Sequence, residues 1–294
     1  MSVRVSHLGL CYRGASRPAL SDLSFALAPG SVLGVVGLNG SGKTSLALAL
    51  RGFARSIYGA AVTGQIEIDG RNTTTTPPAE LLGKIALVHQ DPFSQLSGIA
   101  DTVADEIAFG LENLGLPAPQ IEQRIDEALQ AVDALALKER SPLALSGGQA
   151  QRIAIASVLA LQPSILLLDE PTSQLDPLAA ADLFQLLARL KEAGRTLIIA
   201  EHRLDLLAPI ADLLLVLEDG KARHLGPPRD VFAQPDFTAS GLKRPLPAEL
   251  SFRRRAKENS GEKIALTVPE IVEQPREKKE SPPVSIAPEE EPTA

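Results

Sequence analysis

The stretch that most narrows what this chain can fold into is Gly37-Leu38-Asn39-Gly40-Ser41-Gly42-Lys43-Thr44. Residues 31–36 before it read as a short buried strand, and residues 44–50 after it continue with good helix formers, so the glycines link a strand to a helix. Glycines let successive backbone N–H groups turn toward one anion, and the helix start adds the positive end of its dipole. Such a loop fits a phosphate tail. Lys43 is placed to reach the outer phosphates, and the Thr44 hydroxyl to ligate Mg²⁺. A P-loop by itself leaves kinases, GTPases, helicases and transport ATPases open.

The pattern around it is that of an α/β chain. Val3, Val5 and residues 7–12 read as one strand and residues 20–28 as a second, an antiparallel flap ahead of the P-loop strand. Tyr12, at the end of the first strand, is a candidate to stack on a nucleotide base. Strands are read at 64–68 and 85–88, followed by a polar loop opening at Gln90. Helical periodicity takes over at 102–113 and 120–132, with Ile121, Ile125, Ala128, Leu129 and Val132 on one face. The block from about 91 to 161 therefore reads as a helical subdomain inserted into the core.

Leu145-Ser146-Gly147-Gly148-Gln149 leads into an apolar helix at 153–161, and Ser146 with its glycines makes a second anion-seeking helix start. The apolar run 165–168 carries Asp169 and Glu170 at its end, neighbouring carboxylates that call for a cation. Asp176-Pro177 opens a helix that Gly194 ends. A strand at 196–200 delivers Glu201 and His202, and residues 213–218 and 221–224 read as a hairpin around Asp219-Gly220. From about Gly241 prolines and charges replace large apolar residues, so residues 241–294 are expected to be mostly disordered.

Bulk properties exclude some roles. A net charge of −7 with 3% aromatic residues gives no basic face for nucleic acid. The apolar runs fall short of the roughly 20 residues that span a bilayer. Met1 leads directly into a strand pattern with no signal-peptide core, and a lone Cys11 suits a reducing compartment, so a cytoplasmic location is expected.

Taken together, the motifs resemble the nucleotide-binding domain of ABC (ATP-binding cassette) ATPases over roughly residues 3–235, with Leu145–Gln149 as the family's signature. A narrower resemblance is to the ATPase subunits of energy-coupling factor (ECF) importers, the cobalt and vitamin uptake group. It is carried by Gln90-Asp91-Pro92 with Gln95, by Thr102-Val103-Ala104-Asp105-Glu106-Ile107-Ala108-Phe109-Gly110-Leu111-Glu112-Asn113, and by Glu170-Pro171-Thr172-Ser173-Gln174-Leu175-Asp176-Pro177.

The resemblance implies a P-loop NTPase core, ATP and Mg²⁺ as ligands, and ATP hydrolysis that closes and reopens a pair of cassettes. Nucleotide contacts would come from Tyr12, Gly37, Leu38, Asn39, Gly40, Ser41, Gly42, Lys43, Thr44 and Ser45. Ser146, Gly147, Gly148, Gln149 and Asp176 would reach a neighbouring subunit's nucleotide. Thr44, Gln90 and Asp169 would serve the metal; Glu170, His202 and Gln90 would serve catalysis. With one cassette spanning residues 1–240, a second ATPase subunit, identical or paralogous, is implied. A transmembrane coupling subunit and a substrate-binding membrane protein are implied as well, on the cytoplasmic face of the membrane, the cargo being a vitamin or transition-metal ion. Phe93, Leu96 and Ile99 are candidates for docking the membrane subunit. The alternatives are another class of ABC transporter, a soluble ABC ATPase that never meets a membrane, and a non-hydrolysing module glued by nucleotide.

Overall fold

The computed structural model describes residues 3–258 and 263–273. Its centre is a six-stranded sheet in which β3 (Val32–Val36), β6 (Ile85–Val88), β7 (Ile165–Asp169), β8 (Thr196–Ala200) and β9 (Leu213–Glu218) run parallel. β10 (Lys221–Gly226) returns antiparallel along β9, giving the order β10-β9-β3-β8-β7-β6. Strands β3, β6, β7 and β8 are buried at every position, which is why they read as unbroken apolar runs.

Alternation along these strands separates two cores. Val32, Val36, Leu166, Leu168, Leu197 and Ile199 face the helices Val103–Glu112, Ala118–Ala131, Gly147–Ala160 and Pro177–Glu192. Leu33, Val35, Leu167 and Ile198 face the P-loop helix Lys43–Leu50 and a second, four-stranded antiparallel sheet. That sheet has the order β2-β1-β4-β5, formed by β1 (Val3–Cys11), β2 (Leu20–Leu27), β4 (Ala61–Ile68) and the two-residue β5 (Arg71–Asn72). The α/β architecture with an antiparallel flap is the expected one. Parallel order also does the functional work, because β3, β8, β7 and β6 are consecutive neighbours and present their carboxyl ends along one edge.

Two stretches differ from expectation. The loop after Gln90 contains a short helix, Pro92–Gln95, started by Pro92 and capped by Asp91, whose carboxylate accepts from the Phe93 amide at 3.0 Å. The second difference concerns residues from 241 onward, where disorder was expected. Helices occupy Leu246–Glu258 and Val268–Glu273. Arg244, only 8% exposed, is the reason composition misleads here. Its guanidinium lies 3.8 Å from the centroid of Phe252 and 5.4 Å from that of Phe237, and it donates to the carbonyls of Phe232 and Gln234. A charged residue thus acts as the filling between two aromatic rings. The remainder of the expected tail, 259–262 and 274–294, lies outside the described residues.

The last helix is held by a two-pronged pair. Arg229 Nη1 meets Glu270 Oε2 at 2.7 Å and Nη2 meets Oε1 at 3.0 Å, while Glu270 also accepts from the Leu266 amide. The Arg229 bonds hold the Glu270 carboxyl below its ordinary value of 4.5, with burial acting in the opposite direction. A carboxyl with a depressed folded-state pKa contributes stability that is complete above 4.5 and is lost as pH falls through the lower folded value. Hydrogen exchange on acidification below pH 4.5 is therefore expected to show residues 264–273 opening before the central sheet. Glu270→Gln should show that early opening already at pH 7 and lose the acid dependence.

Candidate functional site

Four strand ends build the site. β3 runs into the P-loop, β6 into Gln90, β7 into Asp169 and Glu170, and β8 into Glu201 and His202. Gly42 takes φ of 109°, and a Cβ there would lie 2.7 Å from the carbonyl oxygen of Ala19, so the tight approach of flap and P-loop depends on a residue without a side chain. A cleft of about 310 Å³ opens between them, lined by Asn39, Gly40, Lys43, Thr44, Gln90 and Glu170 among others.

Glu170 is the hub. Lys43 Nζ approaches its Oε1 at 3.2 Å and His202 Nε2 the same oxygen at 2.8 Å, while Gln90 Nε2 donates to Oε2 at 3.2 Å. Lys43 is 5% exposed and also donates to the carbonyls of Gly37 and Leu38, at 3.0 and 3.4 Å. A buried ammonium requires this counter-charge and these acceptors. The turn that aims Glu170 into the cleft is strained: its φ is 49°, in the left-handed region, which costs an L-residue about 1–2 kcal/mol. The strain is held by the Glu170 amide donating to Ala200 O at 2.8 Å and by Ser173 N donating to Glu170 O at 3.1 Å.

Asp169 has a different environment. It is 6% exposed, and its Oδ1 has no hydrogen-bond partner. Burial pushes its carboxyl above the ordinary aspartate value, with the Thr44 hydroxyl bond opposing and the nearby Glu170 carboxylate adding to the rise. A shielded carboxylate oxygen left over beside a threonine hydroxyl is a hard-oxygen donor set, the kind that suits Mg²⁺.

The other expected residues fall into separate places. Tyr12 stands beside the cleft and donates from its hydroxyl to Ser45 Oγ at 3.2 Å. Ser41 is buried, and Leu38 is 51% exposed at the loop tip. Ser146, Gly148 and Gln149 line a different depression of about 180 Å³ with Leu175, Ala179 and Asp182. There Ser146 and Gln149 form a reciprocal capping box, and the signature helix begins at Gly147 with Ser146 as its N-cap, as expected. Asp176 caps the next helix, its Oδ1 accepting from Leu178 N and Ala179 N at 2.9 Å each.

Glu201 carries a role with no counterpart among the expected site residues. It is 2% exposed and accepts from the Thr172 hydroxyl at 2.6 Å, from His202 N at 2.7 Å and from Arg203 N at 3.3 Å. It thus ties the histidine loop to the turn that follows Glu170. Gln95 makes a similar tie between elements: its Oε1 accepts from His89 N and its Nε2 donates to Ala154 O, which joins the Gln90 loop to the signature helix.

Known proteins resemble this chain in sequence and in fold. Residues 20–173 match the family described as ABC transporter. The chain is 40% identical over 232 residues to the energy-coupling factor transporter ATP-binding protein EcfA1 of Lacticaseibacillus paracasei, covering 79% of this chain and 81% of that one. Its fold is similar to CbiO1 of Clostridium perfringens, part of the ABC transporter complex CbiONQ, with a TM-score of 0.71, 30% identity, and 88% and 98% of the two chains covered. It is also similar to the ATP-binding cassette MJ0796 in a dimeric post-hydrolysis state bound to ADP and Pi. There the TM-score is 0.67 at 25% identity, covering 77% and 99%.

The Thr172–Glu201 bond is the link most open to test. Thr172→Val keeps the shape but leaves one oxygen of a buried carboxylate unpaired, a loss expected to cost about 1–3 kcal/mol in urea unfolding. Glu201→Gln, whose oxygen can keep the His202 and Arg203 amides while its amide nitrogen donates to the Thr172 hydroxyl, is expected to cost less.

Proposed function

The chain belongs to the ABC transporter family and is an ATPase, and on that premise we propose that it is the motor subunit of an ECF-type importer, driven by ATP-dependent closure of two cassettes. The observation that carries the hydrolytic part is the Glu170 carboxylate gathered by Lys43, His202 and Gln90. The similarity to EcfA1 and CbiO1 supports the importer part. A vitamin or a transition-metal ion is the proposed cargo, recognised by a separate membrane protein.

The proposed chemistry starts from the charges. An incoming triphosphate offers Lys43 more negative charge than one carboxylate does, so Lys43 transfers to the phosphates and leaves Glu170 free. Backbone N–H groups of Asn39 to Thr44 hold the phosphate chain. Thr44 and Asp169 would hold Mg²⁺, with Gln90 beside them, and the ion would supply neutralising charge on the phosphate oxygens. Glu170 accepts a proton from the attacking water as its oxygen bonds to the γ-phosphorus, and the bond from that phosphorus to the bridging oxygen breaks, leaving ADP and phosphate. His202, at 2.8 Å from Glu170, turns between that carboxylate and the γ-phosphate. Tyr12 stacks on the base.

Closure needs a companion. Ser146 and Gly148 line a different depression from Lys43, so in this reading they, with Gly147 between them, cover the nucleotide of a second subunit, with Asp176 at the seam. Only an intact γ-phosphate bridges both halves, so hydrolysis releases them. Phe93 and Ile99 form the proposed dock for the membrane subunit, being 42% and 77% exposed. The loop that bears them is pinned by Gln95 and by Ser97, which donates to the buried Glu106 from both its amide and its hydroxyl. Leu96, first grouped with them, packs against the core and drops out of the dock.

Glu170→Gln is expected to bind ATP as before and to lose roughly 10²–10⁴ in steady-state turnover. Hydrolysis within a few-fold of the parent would remove Glu170 from the role of base. Phe93→Ser combined with Ile99→Ser is expected to reduce co-purification with the membrane subunit while ATP affinity stays the same; unchanged assembly would refute the dock.

A further inference from the structure

This chain has two tyrosines and no tryptophan, and the two tyrosines meet. Strand β1 pairs Cys11 with Ala61 at the start of β4, so Tyr12, one residue beyond, comes level with the turn entering β4. Tyr58 sits in that turn. The amides of Ile57 and Tyr58 both donate to Phe53 O, and Gly59 reverses the chain with φ of 61°. The ring centroids are 6.5 Å apart with planes at 83°, an edge-to-face pair.

The two rings are not equivalent. Tyr12 is half-buried against the flap core and its hydroxyl reaches Ser45 on the P-loop helix, whereas Tyr58 is 53% exposed. Tyr12 is therefore held at its tip by the P-loop helix and at its ring by Tyr58. A ring fixed in advance loses less freedom when a base stacks on it. An exposed aromatic at a turn contributes little to the fold, so its contact with Tyr12 is the more informative feature.

We propose that Tyr58 is a positioning residue that holds the Tyr12 ring ready for the nucleotide base, and so makes the site prefer a base-bearing nucleotide to a bare polyphosphate. The inference rests on the reading of Tyr12 as the base-stacking residue. It adds a determinant outside the cleft itself, since Tyr58 is not among the residues that line it.

Calorimetric titration of the full chain with Mg²⁺, using ADP and inorganic pyrophosphate as paired probes, separates base from phosphate recognition. Tyr58→Ala is expected to weaken ADP about three- to tenfold, in line with the value of an aromatic pair, and to leave pyrophosphate unchanged. Tyr58→Phe keeps the ring and should match the parent with both probes. In that variant Tyr12 is the sole tyrosine, so its emission should respond to ADP and not to pyrophosphate. Unchanged ADP affinity in Tyr58→Ala, or equal weakening of both probes, would overturn the proposal. Tyr12→Ala distinguishes the levels: if it leaves the ADP-to-pyrophosphate ratio intact, the stacking reading falls and this inference with it. If it lowers that ratio while Tyr58→Ala does not, only the role of Tyr58 falls.

Discussion

An ammonium group shut away from water must be met by negative charge, and at the edge of this sheet Glu170 meets Lys43. Much of the local architecture follows from that one requirement. The carbonyls of Gly37 and Leu38 turn inward to take up the remaining lysine protons, which fixes the curl of the P-loop. Glu170 must leave the strand in a left-handed conformation to face the lysine. Strand order β3-β8-β7-β6 then brings His202 and Gln90 onto the same carboxylate from either side. In the proposed chemistry a polyanion entering the cleft competes with Glu170 for Lys43, so binding and release of the carboxylate become two sides of one exchange.

That exchange is local, and the ties around it make it matter elsewhere. Thr172 and His202 share Glu201 as acceptor, so the turn after Glu170 and the loop after β8 are fastened to one buried carboxylate. Gln95 fastens the end of β6 to the middle of the signature helix, and Glu106 fastens the next part of the loop to helix Val103–Glu112. Polar side chains buried for this purpose are costly unless fully bonded, and these are bonded at both ends. The cleft and the outward face of residues 93–99 therefore belong to one connected structure.

Legibility in the sequence followed how locally each feature is encoded. Strands β3, β6, β7 and β8 were readable because both faces are covered and the runs stay apolar. Lys43, Thr44, Asp169, Glu170 and His202 were readable because each lies in a recognisable motif that ends or follows a strand. Glu201 was not, since nothing in its own neighbourhood announces that Thr172 will bond to it. Tyr58 was hidden for a similar reason: its partner depends on the β1–β4 register, which itself shifts between Ser6 and Gly9. The helix Leu246–Glu258 was hidden by composition, because prolines and arginines there look like a solvated tail until Arg244 is seen between two rings.

The C-terminal stretch also bears on the P-loop itself. Residues 239–241 border, with Leu38 to Ser41 and residues 217–219, a cavity of about 350 Å³ on the outer side of the loop. Gly241 has φ of 79°, and a Cβ there would come within 2.9 Å of Leu38 Cδ1. The loop tip is thus bounded on its inner side by the cleft that holds Lys43 and on its outer side by the chain that leads to Arg244. Because Arg244 is anchored to the carbonyls of Phe232 and Gln234, that outer wall is fixed to the same body as β9 and β10. Phosphate-binding loops depend on a preset backbone, and here the segment at residues 239–241 stands beside the tip of that loop.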